Sequence, residues 1–356
     1  MIGAAEDAGR QPDSAVAKAQ MEKAAQTGFN TIRLTQMWTT GERMLNTTDQ
    51  AALGTALKAA KAQDIRVILS IYPTGSSVTP TSAETRAQFA AFVADIARRF
   101  PGLNDFIVGN EPNINRFWMP QFGANGEDVA AGAYEQLLAD TYDAVKRVRP
   151  HATVYGGALA PRGSDKPNTG RDTHSPTTFI ADLGAAYKSS GRTQPIMDAF
   201  TIHPYPETAS TGAALAHPHS ASIGLADHAK LVRLLGAAFD GTGQEGSSLP
   251  VLYDEFGVET AIPAAKVSAY TGTEPETTHP VDEQSQALIY AQALDAVACQ
   301  RNVLGLLLFH VTDEAALTGW QSGEFYADGS PKSSLEPVRT AVRRAEVTKP
   351  TGCHAG

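Results

Sequence analysis

Two segments of the chain end an apolar run in a carboxylate. Phe106, Ile107, Val108 and Gly109 lead into Asn110-Glu111, and Pro112 closes the run. Leu249 to Tyr253 lead into Asp254-Glu255, and Gly257 two residues on allows the backbone a sharp turn. Taken singly, each reads equally well as a strand-end cap or as half of a structural ion pair. Taken together they are more specific. Two carboxyl groups facing each other at one mouth are the minimum equipment for breaking a glycosidic bond. One protonates the leaving oxygen while the other attacks the anomeric carbon or activates water.

The pair meets only if the fold brings the two run-ends together. Short Val/Ile/Leu-rich runs alternate with longer amphipathic ones, a pattern that predicts βα units and a parallel sheet. Eight candidate strands are legible: Ile2–Glu6, Thr31–Thr35, Arg66–Tyr72, Asp105–Asn110, Thr153–Ala158, Ala199–His203, Val251–Glu255 and Leu304–His310. Helices are expected over Asp13–Thr27, Thr48–Gln63 (with a Thr or Asp cap), Ser82–Arg99, Ala130–Val148, Ser175–Ser189, Ile223–Phe239, Asp282–Gln300 and Ser334–Glu346. Pro150 and the basic Lys146, Arg147 and Arg149 mark the end of the fourth. An unbroken run of eight units predicts a single (β/α)8 TIM barrel over residues 1–356, with a doubly wound sheet as the alternative. Glu111 then closes the fourth strand and Glu255 the seventh. The longest irregular stretches, Pro112–Asp128, Pro161–His174, Glu207–Ser222 and Glu259–Val281, all follow a strand. They belong at the C-terminal face, where barrel enzymes hold their active sites.

Composition narrows the partners. The 356 residues carry 29 Lys+Arg against 38 Asp+Glu, a net charge of −9. That balance argues against nucleic acid or an anionic membrane as the main partner. With 42% hydrophobic and 19% charged residues the chain is expected to fold fully. It has no apolar run long enough to span a bilayer. The N-terminus has neither a basic region nor a long apolar run, and reads as the start of the fold rather than a signal peptide. Two cysteines exclude a cysteine-built zinc site. The seventh helix ends near Cys299 and the chain leaves the eighth just before Cys353, so both fall at the bottom of a barrel. A disulfide between them is expected, as in a secreted or extracellular protein.

With these residues in place the chain resembles the clan A retaining glycoside hydrolases, most closely families 5 and 39. In that clan the acid/base Glu follows an Asn on strand four and the nucleophile Glu ends strand seven, which are the positions of Asn110-Glu111 and Glu255. Phe29-Asn30-Thr31-Ile32-Arg33-Leu34 is similar to the clan's second strand, whose Arg lies under the nucleophile. Ile202-His203-Pro204-Tyr205 is similar to a family 5 segment in which the His contacts the sugar and the Tyr bonds the nucleophile. Leu304–Asp313, followed by Trp320-Gln321-Ser322-Gly323 and Asp328-Gly329, has the flavour of families 5 and 39. The resemblance implies net retention of configuration. It departs at strand eight, where clan members present a Trp platform. Here Phe309 or His310 takes that place, or Trp320 reaches in from the loop.

The resemblance assigns each residue a task. Glu111 must be protonated at working pH and Glu255 ionised, the latter supported by Arg33 and the Tyr205 hydroxyl. Asn110 would bond the sugar 2-hydroxyl, and His203 a neighbouring hydroxyl. Trp38, Tyr72, Phe117 and Trp118 follow strand ends and could stack on sugar faces, with Trp118 and Trp320 the first choices. Asp313 and Glu314 either bind hydroxyls or cap the loop. Gly156-Gly157 inside strand five would let backbone approach a ligand. His217, His219 and His228 read as solvated loop histidines rather than metal ligands, and no metal or cofactor is expected. The expected substrate is an oligosaccharide, polysaccharide or glycoside. The competing readings are a metal-dependent barrel hydrolase and a non-hydrolytic glycan-binding barrel. The sequence leaves the sugar, the linkage and the oligomeric state open.

Overall fold

The computed structural model describes residues 1–347. Eight parallel strands close into a barrel in chain order. They are β1 (Ile2–Ala5), β2 (Thr31–Trp38), β3 (Arg66–Pro73), β4 (Asp105–Val108), β5 (Thr153–Leu159), β6 (Ala199–Ile202), β7 (Val251–Phe256) and β8 (Val303–Phe309). The ring closes where β1 pairs with β8, Ile2 against Leu306 and Ala5 against Phe309. Helices α1 (Ser14–Thr27), α2 (Thr47–Ala62), α3 (Ala83–Arg99), α4 (Ala130–Val148), α5 (Pro176–Ser190), α6 (His228–Phe239), α7 (Glu283–Ala298) and α8 (Leu335–Val347) alternate with the strands. No described helix is long and apolar enough to cross a membrane.

The strands read as near-continuous apolar runs because both of their faces are buried. Ile68, Ile107, Tyr155, Ala199, Leu252 and Leu307 pack together inside the barrel. The larger cluster, including Leu34, Leu69, Phe106, Phe200 and Leu308, lies between strands and helices. Side chains start the helices by taking up orphan backbone N–H groups. Ser82 and Thr85 cap α3 reciprocally, Ser175 precedes Pro176 at α5, and Asp282 caps α7. At α2 the cap is Asn46, one residue ahead of the Thr that opens the helix, where a Thr or Asp was expected.

Two further expectations are corrected. The sixth helix does not run from Ile223: a 3-10 turn over Leu225–Asp227 comes first and α6 begins at His228. The Asp227 carboxylate accepts from the backbone of His217 (2.7 Å) and Gly224 (2.9 Å), which pins the preceding loop and delays the helix. Gly156 and Gly157 do not open the strand to a ligand. A Cβ on Gly156 would sit 2.6 Å from Leu138, and one on Gly157 would run into the Thr201 carbonyl. Gly157 also has a φ of +97°. These glycines let α4 and β6 close onto β5, and neither lines the cleft. Cys299 caps the C-terminus of α7, and its expected partner Cys353 lies outside the described residues.

Candidate active site

The C-terminal strand ends surround a cleft of about 730 Å³. Loops from all the long irregular stretches wall it: Ile114, Arg116 and Phe117 after β4, Arg162 after β5, Glu207 to Ala209 after β6, and Glu259 and His279 after β7. At its floor lie Arg33, Asn110, Glu111, Tyr205 and Glu255.

Glu255 is the penultimate residue of β7, and two neighbours fix its carboxylate. Arg33 on β2 donates through Nη1 to Oε1, and the Tyr205 hydroxyl donates to Oε2 at 2.9 Å. Arg33 also donates through Nη2 to Asn110 Oδ1 (2.8 Å) and Ser70 Oγ (3.0 Å), and its Nε lies 3.5 Å from Asp254 Oδ2. One guanidinium therefore ties β2, β3, β7 and the residues just beyond β4 together. Glu111 leaves β4 with a left-handed backbone (φ 41°), an uncommon conformation for a side-chain-bearing residue. Its N–H donates to the Ala158 carbonyl at 2.7 Å, which holds that conformation.

His203 lies beneath these groups and is fully buried. Its Nδ1 is 3.1 Å from Glu111 Oε1 and 3.5 Å from Glu255 Oε2, and its Nε2 is 3.3 Å from Asp254 Oδ2. Burial alone would lower its pKa, but Glu255 and Asp254 outweigh that and push it up to about 10. The carboxylates on both sides of the ring thus favour its protonated form. The same balance holds elsewhere. Burial works against the Arg33 charge, yet Glu255 and Asp254 raise its pKa. Burial works against the Asp254 carboxylate, yet His203 and Arg33 lower its pKa. Burial and then Glu255 raise Tyr205, which stays a phenol able to donate.

Asn110, Arg33, Tyr205, His310 and Trp320 line the cleft with the two glutamates. His203 does not: it bridges carboxylates below the floor, so the expected contact with a sugar hydroxyl is corrected to a charge link between Glu111 and Asp254. Trp118 does not reach the cleft either. It is 1% exposed and packs edge-on against Tyr134, with ring centroids 5.6 Å apart. The turn in which Phe117 and Trp118 both donate to the Ile114 carbonyl separates the two rings. Phe117 takes the cleft side, edge-on to Tyr72 at 6.1 Å, and the indole fills the space over α4. Trp38 is likewise buried, against Phe89.

Phe309 and His310 at the end of β8 and Trp320 from the loop after it all line the cleft. The Phe309–His310 peptide is cis. Trp320 packs 5.0 Å from Tyr205 and 5.4 Å from Phe309. Glu314 fixes it by accepting from its backbone N–H at 2.6 Å, so Glu314 both caps the loop and faces the cleft. Asp313 is structural. It is buried against Lys332 Nζ (2.8 Å) and accepts from the Tyr270 hydroxyl (2.7 Å) and the Gly323 N–H (3.0 Å). His217 is not a solvated loop residue, since its Nδ1 lies 2.7 Å from Asp227 Oδ2. His228 is half-buried and its pKa is lowered by that burial, while His219 is exposed. Among the described residues no group of three or more His, Cys, Asp or Glu is arranged to hold a metal ion. Sequence reasoning missed Glu6, Asp7, Arg116, Arg162 and Glu259 as lining residues. Their signal was position: Glu6 and Arg162 lie within three residues of the ends of β1 and β5.

The family model described as cellulase (glycosyl hydrolase family 5) matches residues 8–273. The chain belongs to glycosyl hydrolase family 5. Among curated proteins none matches it. Solved structures similar to this family 5 chain share its fold at low identity. A family 39 glycoside hydrolase from the gut symbiont Bacteroides cellulosilyticus WH2 has 18% identity and a TM-score of 0.65, over 96% of this chain and 63% of its own length. A GH5_18 variant from Streptomyces cattleya, in complex with Manβ1-4GlcNAc, has 17% identity and a TM-score of 0.64, over 98% of this chain and 81% of its own. A GH5-4 broad specificity endoglucanase from Clostridium longisporum has 16% identity and a TM-score of 0.60, over 96% and 95%.

Proposed function

We propose that this family 5 chain is a retaining glycosidase that hydrolyses O-glycosidic bonds by double displacement. Glu255 is its nucleophile and Glu111 its acid/base. The observation that carries this reading is the shared imidazole nitrogen. An oxygen of Glu111 and an oxygen of Glu255 lie 3.1 and 3.5 Å from His203 Nδ1 and open on the same cleft. Two carboxylates gathered on one atom favour the spacing of about 5–5.5 Å used in double displacement over the roughly 6.5–9.5 Å that leaves room for a water.

In the first step a Glu255 oxygen attacks the anomeric carbon as the bond to the leaving oxygen breaks, and Glu111 gives that oxygen its proton. In the second, Glu111 takes a proton from water, which attacks the anomeric carbon and releases Glu255. Arg33 and Tyr205 orient Glu255 and keep it ionised. Asn110, fixed by Arg33, faces the 2-hydroxyl. Phe309 and Trp320 shield the sugar from solvent. The substrate is a glycan or glycoside, in keeping with the disaccharide bound by the Streptomyces cattleya neighbour.

Aryl glucosides, xylosides, arabinosides, mannosides and galactosides with product NMR test the reading. Glu255→Ala should be inactive on all of them, and azide should then yield a glycosyl azide of inverted configuration. Glu111→Ala should still release dinitrophenol in a first turnover and stall, with azide restoring turnover and giving retained configuration. Exchanged configurations would reverse the roles, and an active Glu255→Ala would end the double-displacement reading.

We also propose an exported protein in which Cys299 pairs with Cys353. Thiol titration of unfolded, unreduced protein should find no free thiol, and two would refute it.

A further inference from the structure

The cleft is electrically divided. In the closed barrel the ends of β4 and β5 lie across from those of β8 and β1. Glu6, Asp7 and Glu314 line the β8–β1 side. Each already accepts backbone N–H bonds, Glu6 from Ala8, Val311 and Thr312, Asp7 from Thr35, and Glu314 from Trp320. Arg116 and Arg162 line the β4–β5 side, where Glu111 stands. Arg162 is half-buried and donates through Nη1 and Nη2 to the carbonyls of Tyr205 (2.9 Å) and Pro206 (3.3 Å). Those bonds use two of its five N–H donors. Glu111 and Glu207 act on it electrostatically, but among the described residues no carboxylate comes within ion-pair distance of it. Arg116 is exposed at the rim, stacked on the Phe117 ring at 5.2 Å, which leaves its polar edge open.

A partly desolvated cation without a carboxylate is an incomplete arrangement inside one protein. Its position says what completes it. Glu111, as acid, stands against the leaving oxygen; Arg116 lies on the loop that follows Glu111 and Arg162 on the next loop round the ring, so both stand beside the leaving half of the substrate. We propose that Arg162, with Arg116 at the rim, forms a carboxylate-binding leaving-group subsite, so that preferred substrates carry a carboxylate on the half released first. This rests on the roles proposed for Glu111 and Glu255. The planar guanidinium fork suits a carboxylate in bidentate fashion, and Phe117 and Tyr72 offer an apolar face beside it.

The test uses 4-carboxyphenyl and 4-carbamoylphenyl glycosides of the five panel sugars, pairs matched in size and differing in charge. The wild-type protein should favour the carboxylate in kcat/KM by about tenfold, and 0.5 M NaCl should shrink that preference. In Arg162→Met the ratio should fall to near one, and Arg162→Lys should recover part of it. A wild-type ratio near one, or one that survives in Arg162→Met, overturns the proposal. If Arg162→Met does not fold, Arg162→Lys and the salt dependence decide between the same two outcomes. Calorimetric titration of both glycosides into Glu255→Gln reads the preference without turnover. Failure to hydrolyse any glycoside, charged or neutral, would therefore sink the glycosidase reading, while equal binding of the two would sink this one. Inhibition by glucuronate against inhibition by 4-hydroxybenzoate separates a sugar acid from an aromatic acid as the natural source of the charge.

Discussion

The Tyr205 hydroxyl has one assignment, the Oε2 of Glu255 at 2.9 Å, and burial keeps its proton in place. Tyr205→Phe removes a charge-assisted hydrogen bond and leaves the ring packing against Trp320 and Phe309 intact. Such bonds contribute about 1.5–3 kcal/mol, so kcat should fall by roughly one to two orders of magnitude, with the unfolding midpoint little changed. Steady-state kinetics beside thermal unfolding would check this. An unchanged kcat would mean that Arg33 alone positions Glu255. Glu111 shows the same economy from the backbone side. A residue with positive φ is held by one hydrogen bond to Ala158 and delivers its carboxyl to the imidazole that also touches Glu255.

At the scale of elements, the glycines of β5 set how closely its neighbours approach. Gly157→Ala would drive a methyl into the Thr201 carbonyl, in a backbone conformation that alanine resists. The oxygen is main chain, so β6 must move or β5 must bend, and overpacking of this kind costs about 1–3 kcal/mol. The urea midpoint of Gly157→Ala should drop accordingly. Activity should also fall, because β6 leads into His203 and Tyr205. A variant with the wild-type midpoint would show that the pair of strands can slide at no cost. The β8 loop makes the complementary point. Trp320 is ten residues from His310 in sequence, and it reaches Tyr205 because the Glu314 carboxylate and backbone close the loop on it.

For the whole molecule, the buried charges at the floor make stability depend on pH. His203 is raised from 6.5 to about 10 in the folded state. Its contribution is therefore complete below pH 6.5 and is lost as pH rises through 10. Asp254 is lowered from 3.8, so its contribution is present above that value and is lost as the medium becomes strongly acid. Urea midpoints measured across pH should decline from about 6.5 toward 10. In His203→Gln the alkaline decline should be shallower. An equal decline in both proteins would place the titrating group elsewhere.

The eight strands, their order and the pairing of Glu111 with Glu255 were legible in the sequence. Parallel strands buried on both faces must be apolar runs, and a barrel brings every run-end to one mouth. Arg33 and Tyr205 were named through the resemblance, which set the one under Glu255 and the other in hydrogen-bond reach of it. Sequence left undecided which of two adjacent residues faces the cleft. Phe117 and Trp118 are equally aromatic, and only the turn on Ile114 and the space above α4 sent one outward and one into the core. His203 reads as a strand-end sugar ligand until tertiary structure puts three carboxylates around its ring, a matter of strands four and seven that no local pattern contains. Arg162 is an ordinary loop arginine in sequence. That no described carboxylate comes within ion-pair distance of it is a fact about distances, and distances between loops belong to the folded molecule.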